Sequence, residues 1–229
     1  MTGTPNDGGT EPRISVVMPM LDGAATVHIQ LEALAAQGFD EPWELVVADN
    51  GSTDGSLTIV EEWRSRLPSL TVVDASAQRG VSHARNVGVS TARAPLIGVC
   101  DCDDVVSTGW VRAMYDALQR FDLVGGRLAP EALNDEWSLG GRPTPAQSGL
   151  PVAGHFLPYA VGANTGLRRE VFDALGGWSD AYRHGGDDVD FSWRAQIEGF
   201  SIGYGTDAVI HYRHRSDLAA VGRQYYRYA

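Results

Sequence analysis

The feature that most constrains the fold of this 229-residue chain is an alternation of short apolar segments with helical segments over its first 125 residues. The first apolar segment, 14–18, is rich in β-branched residues and is stopped by Pro19, which is the pattern of a buried strand. Strands that alternate with helices are typical of a parallel sheet covered on both faces, so the sequence predicts an α/β fold. The predicted strands are 14–18, 44–48, 70–73 and 96–100, with a fifth beginning at 123, and the predicted helices are 24–37, 54–63, 81–92 and 107–118.

Polar and acidic residues follow two of these strands, where a sequence that only builds a core has no need of them. Residues 49–52 (DNGS) follow the strand at 44–48, and residues 101–104 (DCDD) follow the strand at 96–100. Parallel sheets of this class bind ligands beyond the carboxyl ends of their strands. The sequence therefore predicts a ligand site at this edge of the sheet.

The chain changes character after residue 125. Residues 129–158 are rich in Pro, Gly, Ala and Ser and have weak periodicity. A segment of this kind is usually a functional loop or a lid rather than scaffold, so we expect it to fold over a bound ligand. The remaining predicted segments are helices at 168–175 and 187–199, a strand at 208–212, a flexible tail at 1–12 and a C-terminal helix at 216–229.

The charge balance limits the classes of partner. Asp plus Glu is 29 and Lys plus Arg is 18, which gives a net charge of −11. Nucleic-acid binding needs clustered cations, so we expect no nucleic-acid partner. No apolar stretch is long enough to be a transmembrane segment and no secretory signal is visible at the start. Cys100 and Cys102 are too close for a stable disulfide, and we therefore predict a reducing, cytoplasmic location.

Every cation in the chain is an arginine, because the sequence contains no lysine. This excludes Schiff-base chemistry and the lysine of a Walker phosphate loop. Arg85 lies one turn into a predicted helix that Gly80 opens, and its planar fork suits bidentate contact with phosphate. A surface ion pair is an equally good interpretation of Arg85 from this segment alone.

Three carboxylates crowd into four residues at Asp101, Asp103 and Asp104. Their mutual repulsion raises their pKa values unless a cation lies among them, and Mg²⁺ or Mn²⁺ would relieve it. The alternative is a loop in which one aspartate caps a helix and the others are solvated. At the end of a neighbouring strand, Asp49 is placed to accept from a nucleobase N–H or a ribose hydroxyl.

A second acidic group, Asp187, Asp188 and Asp190, follows two glycines at the start of a predicted helix. Asp187 and Asp190 have the spacing of a capping box, whereas Asp188 has no such structural role. The helix dipole favours its ionised form, as a general base for a hydroxyl requires. Late in the chain, His211 follows a predicted strand and is either a metal ligand or a simple hydrogen-bonding group.

Taken together, the order of these motifs resembles the family 2 glycosyltransferases of the GT-A fold. The resemblance covers roughly residues 13–215 and implies one mostly parallel, Rossmann-like domain with helices on both faces. Residues 13–125 would form its nucleotide-sugar-binding half and residues 126–215 a smaller acceptor and catalytic half. The matching segments are 15–19 (SVVMP), 47–54 (VADNGSTD), 80–88 (GVSHARNVG), 101–104 (DCDD), 162–164 (GAN), 176–178 (GGW), 186–194 (GDDVDFSWR) and His211.

The resemblance also implies roles for individual residues and a reaction. It implies an inverting, single-displacement transfer of a sugar from a UDP-, GDP- or dTDP-linked donor to a hydroxyl, with Mn²⁺ or Mg²⁺ as cofactor. The acceptor class is a saccharide, a lipid-linked sugar or a small molecule. The implied residues are Pro19, Asp49 and Arg85 for the donor nucleotide, Asp101 for the ribose or diphosphate, Asp103 and His211 for the metal, Asn164, Trp178 and Asp187 for the sugar and acceptor cleft, and Asp188 for the catalytic base.

Two other functions fit parts of the pattern. A nucleotidyltransferase could use a strand-end Asp-x-Asp with a metal, and a non-catalytic nucleotide-sugar sensor would not need Asp188. The C-terminal helix carries Leu218, Val221 and Tyr225 on one face, which predicts core packing or a homodimer contact. Its Tyr and Arg residues also suit peripheral contact with a membrane.

Overall fold

The computed structural model describes residues 11–141, 143–182 and 185–214, which form one eight-stranded sheet with helices on both faces. The strands are β1 (Ile14–Met20), β2 (Trp43–Asp49), β3 (Leu70–Asp74), β4 (Leu96–Cys100), β5 (Val105–Val106), β6 (Leu123–Ala129), β7 (Asn164–Arg168) and β8 (Ile202–His211). The helices are α1 (Val27–Ala35), α2 (Ser56–Glu62), α3 (Val81–Thr91), α4 (Trp110–Leu118), α5 (Glu136–Gly141), α6 (Arg169–Leu175) and α7 (Asp187–Ile197).

The strand order is β3-β2-β1-β4-β7-β6-β8-β5. The first four strands are mutually parallel, β7 is antiparallel to both of its neighbours, and β6 and β8 are parallel to each other. All strands except β7 and the short β5 therefore run in one direction. This confirms the predicted α/β architecture with a mostly parallel sheet.

The position of the binding edge follows from the strand order. From β1 the chain moves to β2 and β3 on one side and then returns to place β4 on the other side of β1. Open α/β sheets bind ligands at such a reversal, beyond the carboxyl ends of the two central strands. Here those ends are Met20 and Cys100, so residues 101–104 lie at the crevice.

Two apolar cores lie on the two faces of the sheet because successive side chains of a strand point to opposite faces. In β1, Val16 and Met18 belong to the core that is covered by α1, α2 and α4. Val17 belongs to the core that is covered by α3, α6 and α7. A strand buried on both faces needs a continuous apolar run, which explains why the sequence predicts β1, β2 and β4.

The second half of the sheet departs from the predicted elements. β7 and β5 were not predicted, and β8 begins at residue 202 rather than at 208. Gly166 in β7 and Gly203 in β8 lie under bulky side chains, so these strands use glycine where the usual signal is a β-branched residue. A Cβ on Gly203 would overlap the ring of Phe121. Close packing thus removed the sequence signal for these strands.

None of the helices in the described residues is long and apolar enough to cross a bilayer. The predicted tail at 1–12 lies outside the described residues except for its last two positions, and the predicted helix at 216–229 lies wholly outside them.

Candidate functional site

An acidic cluster lies directly after β4. Asp101, Asp103 and Asp104 each offer a carboxylate oxygen, and these oxygens lie within 4.8 Å of one another. Asp103 is exposed, Asp101 is partly buried and Asp104 is buried. The structure therefore brings together the carboxylates that were predicted to share a cation, and their burial increases from Asp103 to Asp101 to Asp104.

The backbone of this acidic loop is held by Gln30, a fully buried residue of α1. The Gln30 side-chain amide donates to the carbonyl of Asp101 at 2.9 Å and accepts from the amide of Val106 at 2.9 Å. The sequence analysis missed this residue. The available signal was a glutamine at a position of α1 that is flanked by the buried Val27 and Leu31.

Asp104 is the carboxylate whose charge is least compensated. Its Oδ1 accepts from the amide of Arg213 at 2.7 Å, while its Oδ2 is buried and has no hydrogen-bond partner within the described part of the chain. Burial raises the pKa of Asp104 well above its ordinary value, and the nearby charges of Asp103 and Asp101 raise it further. A cation bound nearby would stabilise the ionised form of such a carboxylate.

His211 approaches the same edge from β8. It pairs in register with Val105, the residue after Asp104, and its Nδ1 is buried without a hydrogen-bond partner in the described ranges. Carboxylate oxygens and imidazole are a ligand set that suits Mn²⁺, and the carboxylates alone suit Mg²⁺. Among the described residues, the ligand atoms that lie within 4.8 Å of one another are those of the three carboxylates, without His211. These carboxylates fit a divalent cation, with Asp104 added to the predicted set, and His211 as a metal ligand stays a prediction.

Arg213 is a second residue that the sequence analysis missed. Its Nε donates to the carbonyl of Asp103 at 2.9 Å, so a guanidinium lies beside the acidic loop. Arg213 lies two residues after His211, the last residue of β8. Its signal in the sequence was the basic segment 211–215, which we had considered only for its histidine.

The second acidic group begins α7. Gly186, with φ of 84°, is the N-cap, and no side chain caps this helix end. The predicted capping box is therefore wrong, because Asp187 turns to Arg85 and Asp190 binds Arg194 at 2.8 Å. A left-handed glycine at the cap leaves both carboxylates free for these partners.

Asp188 is held by two backbone amides. Its Oδ2 accepts from Gly162 at 3.1 Å and its Oδ1 accepts from Val189 at 2.9 Å. Burial raises the pKa of Asp188 and the neighbouring charge of Asp187 raises it further, against the opposing effects of Gly162, Arg85 and Val189. The result is a fixed carboxylate that is more basic than an ordinary aspartate.

Arg85 connects the two acidic groups. Its Nη1 lies 2.7 Å from Asp187 Oδ2 and its Nη2 lies 3.5 Å from Asp101 Oδ1. The predicted surface ion pair is wrong, because the guanidinium is buried between carboxylates. The predicted phosphate contact stays a prediction. Asp187 correspondingly faces Arg85, although we had predicted it to line the acceptor cleft.

Asp49 and Pro19 lie at the neighbouring strand ends. The carboxylate of Asp49 is nearly buried and accepts from the amides of Gly51 and Ser52 at 3.2 Å, which fixes the turn after β2. Pro19 is buried in β1 opposite Ala48. Their predicted contacts with a donor nucleotide stay predictions.

Asn50, next to Asp49, was missed as an organising residue. Its Nδ2 donates to the carbonyls of Ala75 and Gln78, and its Oδ1 accepts from the amide of Gly80 at 2.9 Å. This side chain joins the loop after β2 to the loop that opens α3.

Comparison with known proteins decides the family. The sequence model of glycosyl transferase family 2 matches residues 15–176, which is more than half of the chain. The chain belongs to glycosyl transferase family 2.

Relatives within this family are longer than the chain. Chondroitin synthase of Pasteurella multocida (strain Pm70) is 25% identical over an alignment that covers 81% of this chain and 23% of that protein. Glycosyltransferase AglE of Haloferax volcanii is 24% identical, with 87% of this chain and 66% of that protein covered. Validoxylamine A glucosyltransferase of Streptomyces hygroscopicus subsp. jinggangensis is 34% identical over 107 residues, 46% of this chain and 25% of that protein.

Solved structures share the fold of this family 2 domain. The structure of S. aureus TarS 1-349 in complex with UDP-GlcNAc has a TM-score of 0.69 and 21% identity, and covers 90% of this chain and 59% of that one. The mannosyltransferase PcManGT from Pyrobaculum calidifontis, in complex with GDP-Man and Mn²⁺, has a TM-score of 0.69 and 23% identity, and covers 95% and 62%. The fold is therefore of the GT-A type, as the resemblance implied.

Two predicted cleft residues of this glycosyl transferase family 2 domain lie in its interior. Asn164 is fully buried: its Oδ1 accepts from Trp110 Nε1 at 2.9 Å, and its Nδ2 donates to the carbonyls of Arg127 and Ala208. Trp178 is 3% exposed and stacks on Phe191 with ring centroids 4.4 Å apart. In this structure both are core residues, and their predicted contacts with the sugar and the acceptor stay predictions.

We expect Asn164→Ala to lower the free energy of unfolding by about 2–4 kcal/mol, because it leaves the buried indole N–H of Trp110 and two carbonyls without their partner. Urea unfolding measures this change. Gln119→Ala is the control, since the Gln119 side chain is exposed and donates to the carbonyl of Tyr115 in the preceding turn. Equal stability of the two variants would contradict a structural role for Asn164.

The two cysteines are buried and unpaired. Burial raises the pKa of Cys100 well above its ordinary value and that of Cys102 to about 12, with the adjacent aspartates adding to the effect. In the part of the chain that the structure describes, the ligand atoms that lie within 4.8 Å of one another are those of the three carboxylates and include neither thiol.

Proposed function

We propose that the chain transfers a sugar from a nucleoside-diphosphate sugar to an acceptor hydroxyl by a metal-dependent single displacement that inverts the anomeric configuration. The observation that carries this proposal is the placement of two acidic groups at one edge of the sheet. The cluster after β4 and the first turn of α7 are linked through a single guanidinium, that of Arg85. This linkage supports a mechanism in which a cation held by one group and a base in the other act on the same donor and acceptor.

Asp101, Asp103, Asp104 and His211 would hold the divalent cation. A cation there supplies charge stabilisation for a departing diphosphate. The crowding of the carboxylate oxygens and the unpartnered Oδ2 of Asp104 support this assignment. Arg213 brings a further positive charge to the same loop, beside Asp103.

Asp188 would remove the proton of the acceptor hydroxyl. The amides of Gly162 and Val189 fix its two oxygens, and its raised pKa makes it a stronger base than an exposed aspartate. Attack of the activated oxygen from the face opposite the diphosphate forms the new glycosidic bond as the sugar–phosphate bond breaks. The proton stays on Asp188 and the electron pair of the broken bond leaves with the diphosphate, so the configuration inverts.

A nucleotide-sugar donor is supported by the neighbours in fold, whose solved complexes contain UDP-GlcNAc and GDP-Man, the latter with Mn²⁺. The acceptor would meet the segment 129–158. This segment contains α5 and presents Trp137, Val152 and Phe156 to solvent. Exposed aromatic rings suit the apolar faces of a saccharide, so we propose that this segment covers the donor and contacts the acceptor.

Incubation with UDP-, GDP- and dTDP-linked sugars, an acceptor panel and Mn²⁺ tests the proposal. We expect one donor to be consumed with release of a nucleoside diphosphate and formation of a glycoside of inverted configuration. We also expect that donor, with Mn²⁺, to raise the melting temperature. Pyrophosphate release would indicate a nucleotidyltransferase, and donor binding without turnover on any acceptor would indicate a sensor.

A further inference from the structure

The guanidinium of Arg85 occupies the space between the two halves of the candidate site. Its side chain is 5% exposed, and its two Nη atoms face Asp187, at 2.7 Å, and Asp101, at 3.5 Å. Asp101 begins the acidic loop after β4, and Asp187 is followed directly by Asp188. One cation therefore joins the carboxylates of the cation site to the helix that carries the candidate base.

Gly162 is shaped around this guanidinium. A Cβ at Gly162 would lie 2.6 Å from Nη2 and 2.7 Å from Nη1 of Arg85. The amide of the same glycine donates to Asp188 Oδ2 at 3.1 Å. The backbone that orients Asp188 thus lies so close to the Arg85 guanidinium that a Cβ atom at position 162 would overlap it.

The neighbouring residues of α3 fix where Arg85 stands. Asn86 bonds through both side-chain atoms to the backbone of Trp178, at 2.8 and 2.9 Å. Gly88 packs against β1, where a Cβ would lie 2.5 Å from Val17 Cγ1. The segment Ala84–Gly88 is therefore anchored on both sides of Arg85, which fixes the point from which its side chain extends.

We propose that Arg85 is a positioning residue, which holds Asp187 beside Asp101 and so sets the distance from the cation-holding carboxylates to Asp188, and that it does not contact the donor. This inference rests on the proposed function. It differs from the phosphate contact expected from the sequence, because both Nη atoms of the planar fork already face carboxylates. The buried Nε has no hydrogen-bond partner within the described residues.

Arg85→Lys separates the two roles. Lysine keeps the charge but has no fork to span two carboxylates. A positioning role predicts that kcat falls by about a hundredfold, the cost of a small misplacement of reacting groups, while the dissociation constant of the donor with Mn²⁺ is unchanged. Loss of a phosphate contact predicts the opposite: donor affinity weakened by about tenfold or more, with kcat retained. That second result would overturn the inference.

Arg112→Lys is the control, because Arg112 is an exposed arginine of α4 whose partner, Asp40, is itself exposed. We expect it to change neither kcat nor donor affinity. Each variant is checked by its melting temperature, so that kcat is compared only between folded proteins. If the folded Arg85→Lys protein retains the kcat of the Arg112→Lys control, the positioning role is wrong.

A double-mutant cycle with Gly162→Ala gives a test that does not depend on a single variant folding well. The added methyl group collides with the guanidinium, so it should lower kcat by about tenfold or more in the wild-type background. With Arg85→Ala the space is empty, and Gly162→Ala should then have no further effect. Fully additive losses would contradict the proposed contact. If the wild-type chain turns over no nucleotide sugar, the proposed function is wrong as well. If the wild-type chain does turn over a nucleotide sugar, these variants test only the positioning role of Arg85.

Discussion

Replacing Asp188 with asparagine is expected to lower kcat for sugar transfer by a factor of about 10²–10⁴, the usual contribution of a positioned general base. Asparagine keeps a side-chain oxygen for the amide of Gly162 but cannot accept the acceptor proton. Donor affinity should therefore be retained. Steady-state kinetics, together with calorimetric titration of the donor in the presence of Mn²⁺, measures the two quantities separately.

The matched control for this variant is Asp173→Asn, an exposed carboxylate of α6. We expect it to leave kcat unchanged. Burial and Asp187 raise the pKa of Asp188, while Arg85 and the two amides oppose them. Because the base must be ionised, kcat of the wild-type protein should fall as the pH drops through a value above the ordinary aspartate range. Near wild-type kcat for Asp188→Asn would show that another group accepts the proton.

Replacing Asp103 with asparagine is expected to weaken Mn²⁺-dependent donor binding by about a hundredfold or more, because even the residues that support metal ligands typically contribute 10–100-fold to affinity. Asp103 is the exposed member of the cluster, and its contact with Arg213 uses its backbone carbonyl. The substitution therefore removes one proposed ligand and keeps this backbone contact. Titration of Mn²⁺ at fixed donor concentration measures the loss.

Asp40→Asn is the corresponding control, since the Asp40 side chain is 95% exposed and precedes the amino end of β2, whereas the cluster follows the carboxyl end of β4. Excess chelator should abolish transfer by the wild-type protein, and added Mn²⁺ or Mg²⁺ should restore it. Full activity in chelator, or unchanged Mn²⁺ dependence in Asp103→Asn, would remove the cation from the proposed mechanism.

The parts of the fold that the sequence predicted are those whose burial leaves an apolar pattern. β1, β2 and β4 are buried on both faces, and their runs of Val, Ile and Leu were legible. β7 was not, because its burial is achieved with Asn164, Thr165 and Gly166. A buried asparagine resembles a functional one in the sequence, since nothing there shows that its partners are the indole N–H of Trp110 and backbone carbonyls.

The same limit applies to the candidate site. The acidic residues after β4 and at the start of α7 could be proposed from their spacing and their place at strand and helix ends. The partners that hold them could not. Gln30 lies in α1, 71 residues before Asp101. Arg213 lies 110 residues after Asp103. Long-range contacts of this kind are fixed by topology, which a single sequence does not display.

The most direct test is a crystal structure with Mn²⁺ and a nucleoside diphosphate, in which anomalous scattering locates the ion. We expect the manganese peak between the carboxylates of Asp101, Asp103 and Asp104, with His211 at the same ion and Asp188 facing the side from which an acceptor would attack. A manganese peak elsewhere, or an Asp188 carboxylate that points away from the nucleotide, would contradict the proposed mechanism.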